Sequence, residues 1–134
     1  MKRLIIPILI YAALPTIAEA SSLVKINACG KSASVSERYA YRFQGFITEL
    51  CNSGYKIKFI GGWRKHGSCR GCNMHPRGMA IDINQTARNR ITNRFPRNIN
   101  QMAARYGLTH GAIWRRPDAG HFEVDKEIRI ARAQ

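Results

Sequence analysis

The sequence predicts an α+β domain, a small, mostly antiparallel sheet flanked by helices, and three observations predict it. Apolar residues recur at helical spacing in two separate stretches, 39–50 and 99–106. Short runs of period-two alternation, at 56–60, 79–84 and 121–125, stand apart from them. Helices and strands do not alternate in the rhythm that builds a parallel sheet. The 134 residues suffice for one domain and not for two ordinary ones. An apolar content of 45% excludes a disordered basic tail, and no repeat or low-complexity tract is present.

Met1 to Ala20 reads as a secretory signal peptide. Lys2 and Arg3 open it, Leu4 to Ala13 is an apolar run, and Ala18-Glu19-Ala20 is a small-x-small cleavage site. The run is short for a retained anchor and is broken by Pro7, with Pro15 beyond it. Residues 21–134 are then a single domain, secreted or periplasmic, with no membrane span after processing. All four cysteines, Cys29, Cys51, Cys69 and Cys72, fall in that part, and an even number in a small exported domain favours disulfides. Three pairings are open. Cys29–Cys51 with Cys69–Cys72 is preferred, because the second bridge would pin a Gly-rich loop.

Residues 23–33 read as a lead-in without regular structure. Ser34 and Glu37 have capping-box spacing, ahead of a helix that carries Tyr39, Phe43, Phe46, Ile47 and Leu50 on one face and stops at Gly54. Lys56 to Ile60 alternates as a strand ended by Gly61-Gly62. Lys65 to Gly78 is a loop rich in Gly, Cys, Ser and Asn. Met79 to Asn84 is a second strand. Ile99, Met102, Ala103 and Tyr106 mark a second helix closed by Gly107, Arg115 to Gly120 is a turn, and His121 to Asp125 is a last strand.

Acidic residues are scarce, eight against 22 Lys and Arg for a net charge of +14, yet Asp82, Asp118, Glu123 and Asp125 crowd around histidines. Strand alternation puts Ile81 and Ile83 on one face and Asp82 on the other. It likewise sets Phe122 and Val124 opposite His121, Glu123 and Asp125. If the two strands are neighbours, Asp82 and His121 converge. His75 lies on the loop that feeds the first strand, and Gly78 lets that loop turn back closely. Two imidazoles and a carboxylate suit a divalent cation. Zinc is expected, with a fourth position left for water. Asp118, three residues before His121 across a tight turn, is placed to act as general base. Glu123 is expected to support the ligands from behind. His66 and His110 read as surface or loop residues without a role.

The stretch His75-Pro-Arg-Gly78-Met-Ala80-Ile-Asp82 matches a His-x-x-Gly-x-Ala-x-Asp pattern, and Asp118-Ala-Gly-His121-Phe122-Glu123 matches Asp-x-x-His-Phe-Glu. Together these motifs resemble the zinc peptidoglycan peptidases of the D-Ala-D-Ala carboxypeptidase type. That family includes vancomycin-resistance dipeptidases and phage L-Ala-D-Glu endolysins. The resemblance spans roughly residues 39–124. It implies the Hedgehog/DD-peptidase fold, zinc ligation by His75, Asp82 and His121, and catalysis by Asp118. Gly62-Trp63-Arg64 fits a Gly-aromatic-Arg element, which would put Arg64 at the oxyanion or at a substrate carboxylate. The chain departs from the pattern at Asn73, where serine is usual, and in its short basic approach Trp114-Arg-Arg-Pro117.

The expected partners are peptidoglycan stem peptides and the anionic cell wall, and the expected state is a monomer. Nucleic acid is not expected, because the basic residues are dispersed and no groove-reading element or basic run is present. One alternative is a non-catalytic basic wall-binding or zinc-binding module. Another is a structural zinc site built from Cys69, Cys72 and His75 with His66 nearby.

Overall fold

The computed structural model describes residues 22–66 and 74–131. The expected signal peptide (1–20), Cys69 and Cys72 with their pairing, and Asn73 lie outside the described residues.

The fold is α+β, with two antiparallel sheets and three helices among the described residues. The first sheet is a hairpin of β1 (Leu23–Ala28) and β2 (Lys31–Ser36). This corrects the expectation of an unstructured lead-in. Ile26, Ala33 and Val35 point into the core at period two. Cys29 and Gly30, both at positive φ (52° and 70°), form the two-residue turn. Left-handed conformation at both positions matches strand twist, and Asn-Gly is its usual signature, so Cys-Gly gave little signal.

A turn of 3-10 helix (Glu37–Tyr39) leads into α1 (Ala40–Asn52). No side-chain cap bond forms there, so the Ser34/Glu37 box is not made, and Ser34 is spent inside β2. Phe43, Phe46, Ile47 and Leu50 form the buried face of α1, and Gly54 at φ 83° follows its end. The Cys29–Cys51 disulfide forms, with Cα atoms 6.0 Å apart. It joins the hairpin turn to the last turn of α1. Gln44 makes a second tie, accepting from Asn27 N–H and donating to Asn27 O at 2.9 and 2.8 Å.

The second sheet has the order β3-β4-β6-β5: β3 (Ile60–Gly61), β4 (Ala80–Ile83), β5 (Leu108–His110) and β6 (His121–Val124). Residues 56–59 are not a strand, against expectation. The Asn84 side chain takes the hydrogen bonds that a strand neighbour would take: its Oδ1 accepts from Lys58 N–H and Phe59 N–H at 2.7 and 2.9 Å, and its Nδ2 donates to Lys56 O at 2.8 Å. The second helix, α2, is Ile99–Arg105, and a third, α3 (Lys126–Ala131), follows β6.

The core lies between α1 and one face of the second sheet. Phe122 is its centre, with its ring 4.7 Å from Phe46 and 5.4 Å from Phe95. Ile81, Ile83 and Val124 are fully buried beside it. One face of β4 and β6 is therefore core, and the other is left for the polar residues. Among the described residues no helix is long and apolar enough to cross a membrane.

The disulfide closes a loop with a sequence separation of 22, which constrains the unfolded chain by about 3 kcal/mol. The double variant Cys29→Ser/Cys51→Ser is expected to melt at least 10 °C lower than the wild type by circular dichroism, with its secondary structure retained.

Candidate metal centre

Antiparallel register places Asp82 directly opposite His121 across β4 and β6. His75 enters from a turn of 3-10 helix (His75–Arg77) ended by Gly78 at φ 67°. A Cβ at Gly78 would lie 2.4 Å from Ser36 N, and Gly78 O accepts Ser36 N–H at 2.9 Å. Only glycine fits both the left-handed backbone and that close approach. The ligand loop is thereby stitched to β2.

The three side chains are buried and their donor atoms form a triangle. His75 Nε2 lies 3.2 Å from Asp82 Oδ1 and 3.2 Å from His121 Nδ1, and His121 Nδ1 lies 3.0 Å from Asp82 Oδ1. Ligands about 2.0 Å from a tetrahedral ion stand about 3.3 Å apart, so the donor set fits a small divalent cation. The outward ring nitrogens fix which atoms face in. His75 Nδ1 donates to Gly62 O at 2.8 Å, which leaves Nε2 as a lone pair. His121 Nε2 lies 3.2 Å from Glu123 Oε2 and, with its proton there, presents Nδ1 as a lone pair. With both rings neutral, three lone pairs converge within 3.2 Å, an arrangement that calls for a cation. The group could hold a metal ion.

Sequence reasoning did not foresee how Gly62-Trp63-Arg64 is used. Gly62 O holds His75, Trp63 Nε1 donates to Pro76 O at 3.0 Å, and Arg64 Nη1 donates to Asp82 Oδ2 at 2.9 Å. The three consecutive residues brace two candidate ligands. Arg64 thus occupies the outer carboxylate oxygen of Asp82 and leaves Oδ1 for the centre. On the other side Arg129 of α3 lies 3.5 Å from Glu123 Oε1, so α3 backs His121 through Glu123.

Asp118 sits beside the triangle. His121 N–H donates to Asp118 O at 3.2 Å, closing the tight turn. Its carboxyl is near enough to His121, Asp82 and His75 to feel the charge of each. Burial pushes it above the ordinary carboxylate range, and Oδ1 is buried with no hydrogen-bond partner among the described residues. Gln85, which no motif indicated, lies near enough to this carboxyl to favour its charged form, and its Oε1 accepts Gly120 N–H at 3.0 Å. The Trp114 ring is 5.1 Å from that of His121.

His110 is not a surface residue, contrary to expectation. It lies on β5, buried, stacked on Phe122 at 4.4 Å, with Nε2 donating to Ala119 O at 2.7 Å. It therefore props the turn that carries Asp118. Burial holds its pKa below the ordinary value. His75 Nε2 faces Asp82 and His121, while Cys69 and Cys72 of the alternative zinc site lie outside the described residues.

The electrostatics follow from the same contacts. Burial opposes charge on Asp82, but the proton on His121 and the Arg64 guanidinium, with the His75 ring beside them, reverse this and keep its carboxyl ionised well below the usual range. Burial likewise opposes charge on His121, yet its bonds to Asp82 and Glu123 raise it to about 9. A proton on His121 is thus the metal-free counter-charge to Asp82. That proton stabilises the metal-free fold fully below pH 6.5, and its contribution fades as pH rises towards 9. A metal must displace it, so metal affinity has the opposite slope. Competition with a chromogenic chelator is expected to show one divalent ion per chain, tightening about tenfold per pH unit and levelling above about 9. His75→Ala, Asp82→Ala and His121→Ala are each expected to abolish binding, while Trp63→Phe and Arg64→Met weaken it by about 10- to 100-fold.

Compared with known proteins, the chain matches no family model and no curated protein.

Proposed function

We propose that this chain is an exported zinc peptidase that hydrolyses peptidoglycan stem peptides, as a D-Ala-D-Ala carboxypeptidase or an L-Ala-D-Glu-type endopeptidase, on a Hedgehog/DD-peptidase-like fold. The observation that carries the reading is the three-donor triangle with the carboxyl of Asp118 beside it. A structural zinc site closes its coordination with four protein ligands, whereas three donors leave a position for water or substrate. The Cys29–Cys51 disulfide suits an oxidising compartment outside the cytoplasm.

Bound zinc supplies Lewis acidity towards a scissile carbonyl and lowers the pKa of a water to about 7. The protein's residues do the rest. His75, Asp82 and His121 fix the ion, and the braces from Gly62, Arg64 and Glu123 stop their rings and carboxylate from turning away. Asp118 takes a proton from the attacking water and returns it to the leaving amine. Its raised pKa brings it nearer the working range for both transfers, and the turn that Gln85 ties at Gly120 and His110 props at Ala119 holds it in place. Arg64 lines a cavity of about 230 Å3 that also takes in Asp82, Gln85 and Phe59. A substrate carboxylate there meets a guanidinium, though one whose Nη1 is already shared with Asp82.

Digestion of purified peptidoglycan by the zinc-loaded protein, read by mass spectrometry of the released peptides, tests this reading. The wild type is expected to shorten or detach stem peptides. Asp118→Ala is expected to be slower by about 10²- to 10⁴-fold, with zinc content unchanged. No new product from zinc-replete wild type overturns the enzymatic reading.

A further inference from the structure

Charge is spread unevenly along the chain. Between Leu50 and Pro117 the only acidic residue is Asp82, against 13 Lys and Arg. Arg88, Arg90, Arg94 and Arg97 fall within a single stretch of that segment, just after β4. The backbone there doubles back. Gln85 bridges Ile91 in antiparallel sense, and Thr86 N–H donates to Arg90 O at 2.7 Å. Asn89, at φ 55°, turns the tip. Two asparagines fasten this hairpin to the 55–59 segment: Asn84 Nδ2 donates to Asn93 Oδ1 at 2.7 Å, and Asn93 Nδ2 donates to Lys56 O at 3.3 Å. Lys56 and Lys58 therefore run alongside the arginine segment.

All six basic side chains are exposed, and none has an acidic partner among the described residues. A face that is merely solvated usually mixes charge signs. These adjoining segments gather a single sign, which repels itself and raises the local potential for anions. The surface has no buried converging donors of the kind that hold one small ion. Its charges spread along a segment, which suits a linear polyanion, and arginine forks match phosphate oxygens. The patch also adjoins the candidate site. Asn89 O accepts Ala119 N–H at 3.4 Å in the turn that carries Asp118, and Gln85, Thr86 and Asn89 wall the same cavity as Arg64.

We infer that Lys56, Lys58, Arg88, Arg90, Arg94 and Arg97 form a docking surface for a phosphodiester-linked glycopolymer of the cell envelope, which holds the protein with its cleft against the wall. The inference rests on the envelope location of the reading above, and not on hydrolysis. The disulfide favours an envelope polymer over nucleic acid, the other phosphodiester chain.

The test measures binding of the full chain to purified poly(glycerol phosphate), which contains no peptide, over a range of NaCl concentrations. Arg94→Glu/Arg97→Glu is compared with Lys25→Glu/Lys31→Glu on β1 and β2, a pair that changes net charge equally. If the first pair fails to fold by circular dichroism, Arg94→Gln/Arg97→Gln and Lys25→Gln/Lys31→Gln replace both. The patch pair is expected to lose at least about tenfold in affinity at low salt, and its slope of log affinity against log salt to fall by about 1.5. The control pair is expected to lose less than about threefold. Asp118→Ala is expected to bind like wild type, so a failed digestion leaves this result intact. Equal losses in both pairs, no salt-sensitive binding by wild type, or tighter binding to duplex DNA than to the polymer at equal salt would each overturn the inference.

Discussion

The pairing of Asp82 with His121 across β4 and β6 is the constraint on which the site depends. Residues directly opposite in an antiparallel ladder have Cβ atoms about 5 Å apart, near enough for two side chains to share one centre. The same register sets Ile81 opposite Phe122 on the reverse face. A slip of one residue would bury Asp82 among Phe46 and Phe122 and turn Ile81 towards His75 and His121. Core packing and ligand placement are therefore one specification, written on two sides of a strand pair.

That pair supplies two donors, and the remaining structure brings and steadies the third. The β1–β2 hairpin, tied to α1 by Cys29–Cys51, presents Ser36 to Gly78 and Ser34 to Trp63, whose N–H donates to Ser34 O at 2.7 Å. The His75 turn is thus held from outside its own sheet. Three groups that prefer to be solvated are buried here at close range, and the fold answers with counter-charge. Arg64 neutralises the outer oxygen of Asp82, and a cation at the centre, proton or metal, neutralises the inner one.

Much of this was legible in the sequence because it depends on period-two alternation and on single residues with one use. The alternation of 79–84 and 121–125 separates Asp82 and His121 from their apolar neighbours, and Gly78 marks the close turn. The β1–β2 hairpin was not legible. Its second strand alternates only small apolar residues with Ser, and its turn is Cys-Gly. The supposed strand at 56–59 misled because its Lys-Ile-Lys-Phe pattern is real. Its backbone bonds, however, go to one distant side chain, Asn84, which no local pattern reveals. His110 and Gln85 escaped notice for a similar reason. Each acts on the Asp118 turn through a contact that exists only once β5 and the 84–92 hairpin have folded beside it.

Two imidazoles and one carboxylate, without a cysteine, make up the proposed metal-binding set. X-ray absorption at the zinc edge of the zinc-loaded full chain examines it most directly. The nearest scatterers are expected to be nitrogen and oxygen alone, at about 2.0–2.1 Å, with the outer-ring signature of two imidazoles. A sulfur shell at about 2.3 Å, or the spectrum of a fully hydrated ion, would contradict it.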